Sequence, residues 1–114
     1  MVNENPTPVT APAAVAWNPN QIFAMLADPA RRHILLVLAH GQALPASVLK
    51  GGVRLRLDAT LKHLTTMRSA GLLVTRPDPS DGRRMLYALA PTVGVVKTPE
   101  GVLAIDFGFC LLRQ

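Results

Sequence analysis

Residues 61–73 of the chain read LKHLTTMRSAGLL, and this stretch decides the fold. Its apolar residues recur at helical spacing, Gly71 closes the helix, and two leucines then begin a strand. A hairpin tip follows at residues 78–84, DPSDGRR, in which turn formers precede two arginines. A helix that runs into a basic hairpin is typical of a winged helix-turn-helix, a fold that binds DNA. The predicted fold class is therefore α+β and mostly helical, with an additional β-hairpin at the carboxyl terminus.

Helix start and stop signals predict four helices. Asn18 and Asp28 are the expected caps of the first two, because each precedes a proline that suits the first helical turn. The third helix is expected to open at Pro45 and to end at two consecutive glycines, and the fourth to be capped by Asp58. The predicted helices span residues 19–27, 29–40, 45–50 and 58–70, and the predicted wing strands span residues 72–76 and 85–89.

The two ends of the chain differ from its middle. Residues 1–16 are rich in proline and alanine and predict a flexible tail, whereas residues 17–91 form the predicted DNA-binding domain. Residues 92–114 predict a β-hairpin, because apolar residues alternate there after a turn signal at residues 98–101. One face of this hairpin is expected to be wholly apolar, so it either forms a dimer interface or closes the monomer's own core. The residues of that face are Leu103, Ile105, Phe107, Phe109 and Leu111.

The positive charge of the chain is concentrated in one region. The 114 residues carry a net charge of +5. Residues 31–84 hold ten Lys and Arg against three Asp, so that segment is +7 and the remainder is −2. Charge alone is equally typical of solvated helix faces, but its placement on a helix and a hairpin tip favours a polyphosphate partner.

The predicted fourth helix has two different sides. The side expected to face the core consists of Leu57, Leu61, Leu64 and Met67. The other side combines small residues, which allow close approach to base edges, with hydrogen-bonding groups suited to a DNA groove. Arginines that flank the hairpin tip are placed to contact phosphates or the minor groove. The candidate DNA-binding residues are Arg56, Ala59, Thr60, Lys62, His63, Thr66, Arg76, Arg83 and Arg84.

Two motifs resemble the ArsR-type winged-helix repressors, a family of dimeric bacterial transcription regulators. Residues 28–35, DPARRHIL, resemble that family's DPTR-x-x-IL opening of helix two, and residues 62–73 resemble its RHL-x-x-L-R-x-AGLV recognition helix. The resemblance covers about residues 22–90 and implies double-stranded DNA as a partner, a homodimer and a repressor role. The wing, residues 78–84, also resembles that of MarR-type regulators, which share the winged fold.

The chain departs from the ArsR-type pattern in three ways. Many members bind a metal through a Cys-x-Cys pair at helix three, but residues 42–47, QALPAS, contain no sulfur. The single cysteine, Cys110, does not supply the several ligands of a thiolate site, and no histidine follows His63 for the family's carboxyl-terminal ligand set. We therefore expect no metal and no cofactor. The family usually ends in a dimerising helix, whereas this chain ends in predicted strands.

Dimerisation is accordingly expected to use the first helix and the carboxyl-terminal hairpin, which together carry more large apolar side chains than a small core needs. The candidate interface residues are Trp17, Ile22, Phe23, Phe107 and Phe109.

Other classes of function fit the sequence less well. An enzyme is not expected, because the sequence shows no nucleophile–base, paired-carboxylate or phosphate-loop constellation. The rival hypothesis is a winged-helix module that contacts a protein and not DNA. A cytoplasmic location is expected, because no apolar run reaches membrane-span length, no basic residue precedes Arg31, and the single cysteine fits a reducing compartment.

Overall fold

The computed structural model describes residues 16–114 and the backbone of Thr7 and Pro8. The predicted flexible tail therefore lies almost entirely outside the described residues. The helices are α1 (Pro19–Leu26), α2 (Pro29–Leu38), α3 (Ala46–Val53) and α4 (Leu57–Ser69). The strands are β1 (Thr7–Pro8), β2 (Leu44–Pro45), β3 (Leu73–Asp78), β4 (Asp81–Leu89), β5 (Gly94–Lys97), β6 (Leu103–Asp106) and β7 (Leu111–Leu112). Among the described residues, no helix has the length and apolar composition that a membrane span needs.

The caps predicted for α1 and α2 are confirmed. The Asn18 side chain accepts a hydrogen bond from the Gln21 N–H at 3.1 Å, and the Asp28 side chain accepts one from the Ala30 N–H at 2.8 Å. Each bond satisfies an amide that the first helical turn leaves without a backbone partner. Both helices end within two residues of the predicted boundary.

The predicted end of α3 is wrong. The helix continues through Gly51 and Gly52 to Val53, and it ends at Arg54, whose φ of 56° is left-handed. Gly52 allows α3 to pack closely on α2, because a Cβ added there would lie 2.5 Å from Nε2 of His33. A Cβ added at Gly51 would meet nothing within 4 Å. The two glycines thus have different roles within one helix.

We expect Gly51→Ala to raise the free energy of unfolding by about 0.5–1 kcal/mol, because alanine favours an exposed helix interior over glycine. Gly52→Ala should instead lower the free energy of unfolding by about 1–3 kcal/mol, because the added Cβ would overlap the His33 ring. Urea unfolding of both variants, with and without His33→Ala, measures the energetic coupling between each glycine position and His33. Equal gains at the two glycines with His33 intact would contradict the close contact.

The fourth helix is rotated relative to the prediction. Its N-cap is Arg56 without a side-chain bond, so Asp58 lies in the first turn and is not the cap. The buried residues are Thr60, Leu64 and Met67, whereas Leu57 and Leu61 are 43% and 38% exposed. The placement of these two leucines in the core was therefore wrong.

The predicted end of α4 is confirmed. Gly71 has a φ of 83°, and its N–H donates to the Arg68 carbonyl while the Leu72 N–H donates to the Met67 carbonyl, both at 3.0 Å. This pair of bonds closes the helix and directs the chain into the wing.

The wing is an antiparallel hairpin of β3 and β4, extended by β2 in the order β2-β4-β3. Pro77 pairs with Met85 but Asp78 pairs with Asp81, so residues 82–84 bulge out of β4 near the tip. A bulge bends a strand and re-aims its side chains. Sequence analysis predicted the hairpin but did not find β2 or the bulge.

The carboxyl-terminal hairpin is confirmed over β5 and β6, but its predicted apolar face is wrong. The chain turns at Gly108, whose φ is 93°, and β7 then pairs back on β6 in a sheet of order β1-β5-β6-β7. The strict alternation therefore stops at Asp106, whose carboxylate accepts a hydrogen bond from the Gly108 N–H at 2.8 Å. Phe109 and Leu111 are consequently exposed.

One apolar core joins the winged domain to this sheet. The sheet and the residues next to its strands contribute Val93, Val95, Ile105, Phe107 and Leu112 to the buried cluster, and the helices contribute Ile22, Ile34, Leu35, Leu38, Leu49, Leu64 and Met67. The hairpin thus closes the monomer's core, which was one of the two predicted alternatives.

Candidate nucleic-acid interface

The outer face of α4 is the centre of the candidate site. Its exposed residues are Leu57, Asp58, Leu61, Lys62, Thr65, Thr66, Arg68 and Ser69. Lys62 and Thr66 lie one turn apart, and the Thr66 hydroxyl donates to the Lys62 carbonyl at 2.9 Å, which leaves its oxygen free to accept. The structure therefore keeps these two predicted contact residues accessible to a groove.

Two other predicted contact residues on α4 are placed differently. Thr60 is fully buried, and its hydroxyl donates to the Arg56 carbonyl at 3.0 Å. The prediction that Thr60 contacts DNA is wrong, because its only polar group is turned inward and satisfied by its own helix. Ala59 is half-buried beside it.

His63 connects α4 to the start of α2. Its Nδ1 lies 3.2 Å from a guanidinium nitrogen of Arg31, and its Nε2 lies 3.7 Å from a carboxylate oxygen of Asp28. Because a guanidinium only donates, Nδ1 accepts, and the ring proton is assigned to Nε2. The side chain is 20% exposed. His63 thus holds α4 against the start of α2, and its predicted groove contact stays a prediction.

The Asp28 carboxylate has two functions in this contact. Partial burial acts to raise the pKa of Asp28, but hydrogen bonds from the backbone amides of Ala30 and Arg31, together with the facing His63 and Arg31 side chains, lower it overall. The carboxylate therefore stays charged at neutral pH, where it caps α2 and faces the imidazole of α4.

Two arginines of the basic segment are used inside the protein. Arg31 donates to the carbonyls of Met25 and Ala24, at 2.8 and 3.0 Å, and Arg32 donates to the carbonyl of Leu26. These carbonyls lie at the end of α1, where cations satisfy unpaired acceptors and the helix dipole. Because Arg31 and Arg32 bind α1, fewer cations are available to a polyphosphate than the net charge of residues 31–84 indicates.

The arginines of the wing are in different situations. Arg76 and Arg83 are exposed, and the Arg83 side chain, in the β4 bulge, contacts Asp81 at 3.7 Å while remaining 96% accessible. Arg84 lies 3.9 Å from Asp78 and 3.5 Å from the Ser47 hydroxyl, and it is half-exposed. Such surface pairs are weak, so they orient Arg84 toward α3 without fixing it.

The tip of the wing is fixed by Asp78. The Ser80 hydroxyl and the Ser80 amide donate to this carboxylate at 2.7 and 2.9 Å. These bonds, the hydroxyl first, lower the pKa of Asp78. The turn is thus held in shape by a charged group while Arg83 beside it projects outward.

The exposed cations define what we call the basic surface, formed by the α3–α4 turn, α4 and the wing. Its residues are Arg54, Arg56, Lys62, Arg68, Arg76, Arg83 and Arg84. Sequence analysis missed Arg54, which becomes exposed because α3 ends there, and it missed Leu57, Leu61 and Thr65. Only the rotation of α4 shows these last three to be accessible.

The predicted dimer residues fall into three groups. Ile22 and Phe107 are buried in the monomer core, so their assignment to an interface was wrong. Trp17 is half-buried and packs edge-on against Phe107, with ring centroids 6.0 Å apart. Phe23 and Phe109 are 53% and 40% exposed, and the centroids of their rings lie 5.4 Å apart. We call these two the aromatic pair.

The chemistry of Cys110 is that of a structural thiol. Burial, together with the nearby carboxylate of Asp106, raises the pKa of Cys110. A raised pKa leaves little thiolate, the form that binds metals and attacks electrophiles. Within residues 16–114, His, Cys, Asp and Glu side chains form no group of three or more that could hold a metal ion.

Comparisons with solved structures identify several regulators of similar fold. The regulator HlyU from Vibrio cholerae matches with a TM-score of 0.55 and 25% sequence identity over 62% of this chain and 73% of its own. An ArsR family transcriptional regulator matches with a TM-score of 0.53 and 30% identity over 61% of this chain and 72% of its own. The transcriptional repressor BigR from Xylella fastidiosa shares the fold at 17% identity, with a TM-score of 0.53 over 62% of this chain and 68% of its own. No protein-family model and no curated protein matches the chain.

The α2–α3–α4 helices, followed by the β3–β4 wing, define a winged helix-turn-helix protein. The match at 30% identity covers more than two thirds of an ArsR family regulator. The chain belongs to the ArsR-type family of winged-helix transcriptional regulators. The similar proteins are regulators and not enzymes.

Proposed function

We propose that this protein is a homodimeric, sequence-specific DNA-binding regulator that represses transcription. The observation that carries the proposal is the outer face of α4, where Lys62, Thr65 and Thr66 are exposed between cations of the basic surface. A recognition helix of this kind enters the major groove while a wing contacts the flanking backbone. The repressor role and a cytoplasmic site of action are proposed from the ArsR-type family to which the chain belongs.

A mobility shift with the promoter region of the protein's own gene, at increasing salt, tests DNA binding. We expect a discrete complex that weakens steeply as salt rises, because phosphate contacts release counterions. A winged-helix module that contacts only protein would give no salt-dependent complex with any duplex. That outcome would favour the rival function.

The proposed dimer interface is built on the aromatic pair. Phe23 lies on α1 and Phe109 follows β6, so one patch joins the two ends of the described chain. Exposure of two contacting aromatic rings to water is energetically unfavourable, and aromatic residues are enriched at protein interfaces. Two-fold symmetry would place two α4 helices in successive major grooves, about one helical turn apart.

Phe23→Asp and Phe109→Asp should each convert the dimer to a monomer at micromolar concentration, because each buries a charge in an apolar contact. Sedimentation measures the change. Val48→Asp is the matched control, since Val48 is 51% exposed on α3, outside the patch. A wild-type monomer, or dimers in both Phe variants, would contradict the interface.

The wing is proposed to contact phosphates or the minor groove through Arg83, with Arg76 and Arg84 beside it. Arg83→Ala should reduce the slope of log affinity against log salt by about 0.9 per wing, the value for one phosphate contact. Arg113→Ala removes the same charge just after β7, outside the basic surface, and should leave the slope unchanged. The two arginines are matched, because each has one weak surface ion pair, Arg83 with Asp81 at 3.7 Å and Arg113 with Glu100 at 3.6 Å. An unchanged slope in Arg83→Ala would mean that the wing does not touch DNA.

We propose that regulation does not use a thiolate metal site. The sequence has one cysteine, and the raised pKa of Cys110 works against the thiolate. Thiolate sensors require clustered sulfur ligands. Zinc, cadmium, arsenite and copper are therefore not expected to release the protein from DNA.

A further inference from the structure

The recognition helix carries an apolar strip where a groove-reading helix is usually polar. Leu57 and Leu61 are one turn apart on α4, and they are 43% and 38% exposed. Neither belongs to the buried core or to the half-buried residues packed against it. The core side of α4 is filled by Thr60, Leu64 and Met67. The two leucines are therefore held outward by the packing of the helix.

The position of the strip ties it to the basic surface. Leu57 is the first residue of α4 and Leu61 lies in its second turn, and the N-terminal turns of a recognition helix are the ones that reach base edges. Exposed Arg56 precedes the strip and forms a weak surface ion pair with Asp58 at 3.7 Å, and exposed Lys62 follows Leu61 directly. Cations on both sides favour a polyanionic partner over a purely apolar protein surface.

Duplex DNA offers one apolar group in the major groove, the C5 methyl of thymine. We propose that Leu57 and Leu61 read thymine methyl groups, so that the half-site of this regulator contains thymines specified by packing and not by hydrogen bonds. This inference rests on the proposed DNA-binding function and names the bases that the same site selects. The neighbouring Lys62 and Thr66 supply the hydrogen bonds.

The test uses the full-length protein and a duplex selected by it from a random library. Each thymine is replaced singly by deoxyuridine, which pairs identically but lacks the methyl group, and the dissociation constant is measured by fluorescence anisotropy. We expect a loss of about fourfold at each contacted thymine, the factor that corresponds to burying one methylene-sized group. The penalty should disappear at one of these positions in Leu61→Ala.

Leu111→Ala is the matched control, because Leu111 is 44% exposed in the carboxyl-terminal sheet. This variant should keep every deoxyuridine penalty. Specific binding with no penalty at any thymine would overturn the inference while leaving the proposed function intact. A changed sedimentation of Leu61→Ala without a thymine effect would overturn it in favour of a protein interface. Failure to select any duplex would contradict the proposed function itself.

Discussion

Phe107→Ala should lower the free energy of unfolding by about 3–5 kcal/mol, the usual loss for a buried phenylalanine. Phe107 is 4% exposed, belongs to the core cluster and packs edge-on against Trp17. A domain of this size has a total stability of about 5–15 kcal/mol, so the variant should lose a large share of it and unfold at a clearly lower denaturant concentration. Denaturant unfolding monitored by circular dichroism measures the change.

Phe109→Ala is the control for this experiment, since Phe109 lies two residues away but is 40% exposed. Its loss should be small, and any part that arises through dimerisation should depend on protein concentration, whereas the Phe107 loss should not. Equal and small losses in both variants would mean that the carboxyl-terminal sheet is not part of the core.

Lys62→Ala should weaken binding to the preferred duplex roughly 5- to 150-fold, the range that corresponds to about 1–3 kcal/mol for a well-placed base contact. Lys62 is exposed at the middle of α4 and, with Arg68, is one of the two cations on its outer face. Binding to a scrambled duplex should fall much less, because a phosphate contact alone does not discriminate sequences.

Lys97→Ala is the charge-matched control, since Lys97 is an exposed lysine at the end of β5 in the other sheet. We expect its affinity for both duplexes to stay near that of the wild type. An equal loss of affinity in the two lysine variants would show that α4 contributes only general charge. Unfolding curves on both variants establish that the fold is intact.

Local signals in the sequence predicted much of the fold. The caps Asn18 and Asp28 and the closing Gly71 were identified correctly, because each depends on short-range backbone chemistry. Gly51 and Gly52 misled the prediction of α3, because the helix continues through both of them to Val53, with Gly52 close against His33 and Gly51 open. Local propensity is a weak guide where two helices pack closely.

The candidate site was less predictable, because it depends on which side of α4 faces the core. Hydrophobic pattern alone placed Leu57 and Leu61 inward, yet Thr60 is the residue that is buried, since its hydroxyl is satisfied by the Arg56 carbonyl. Likewise, no sequence rule distinguished Arg31 and Arg32, which bind the end of α1, from the cations left exposed. These contacts span only four to six residues, but neither hydrophobic pattern nor charge indicates which side chains make them.

Sequence-specific binding to duplex DNA is the central claim, and a competition experiment tests it most directly. The wild-type protein is bound to its selected duplex at fixed, near-physiological salt and challenged with unlabelled selected or scrambled duplex. We predict that the selected duplex competes about 10³-fold better or more, the ratio typical of specific regulators. Equal competition by the two duplexes, or no complex with either, would contradict the claim.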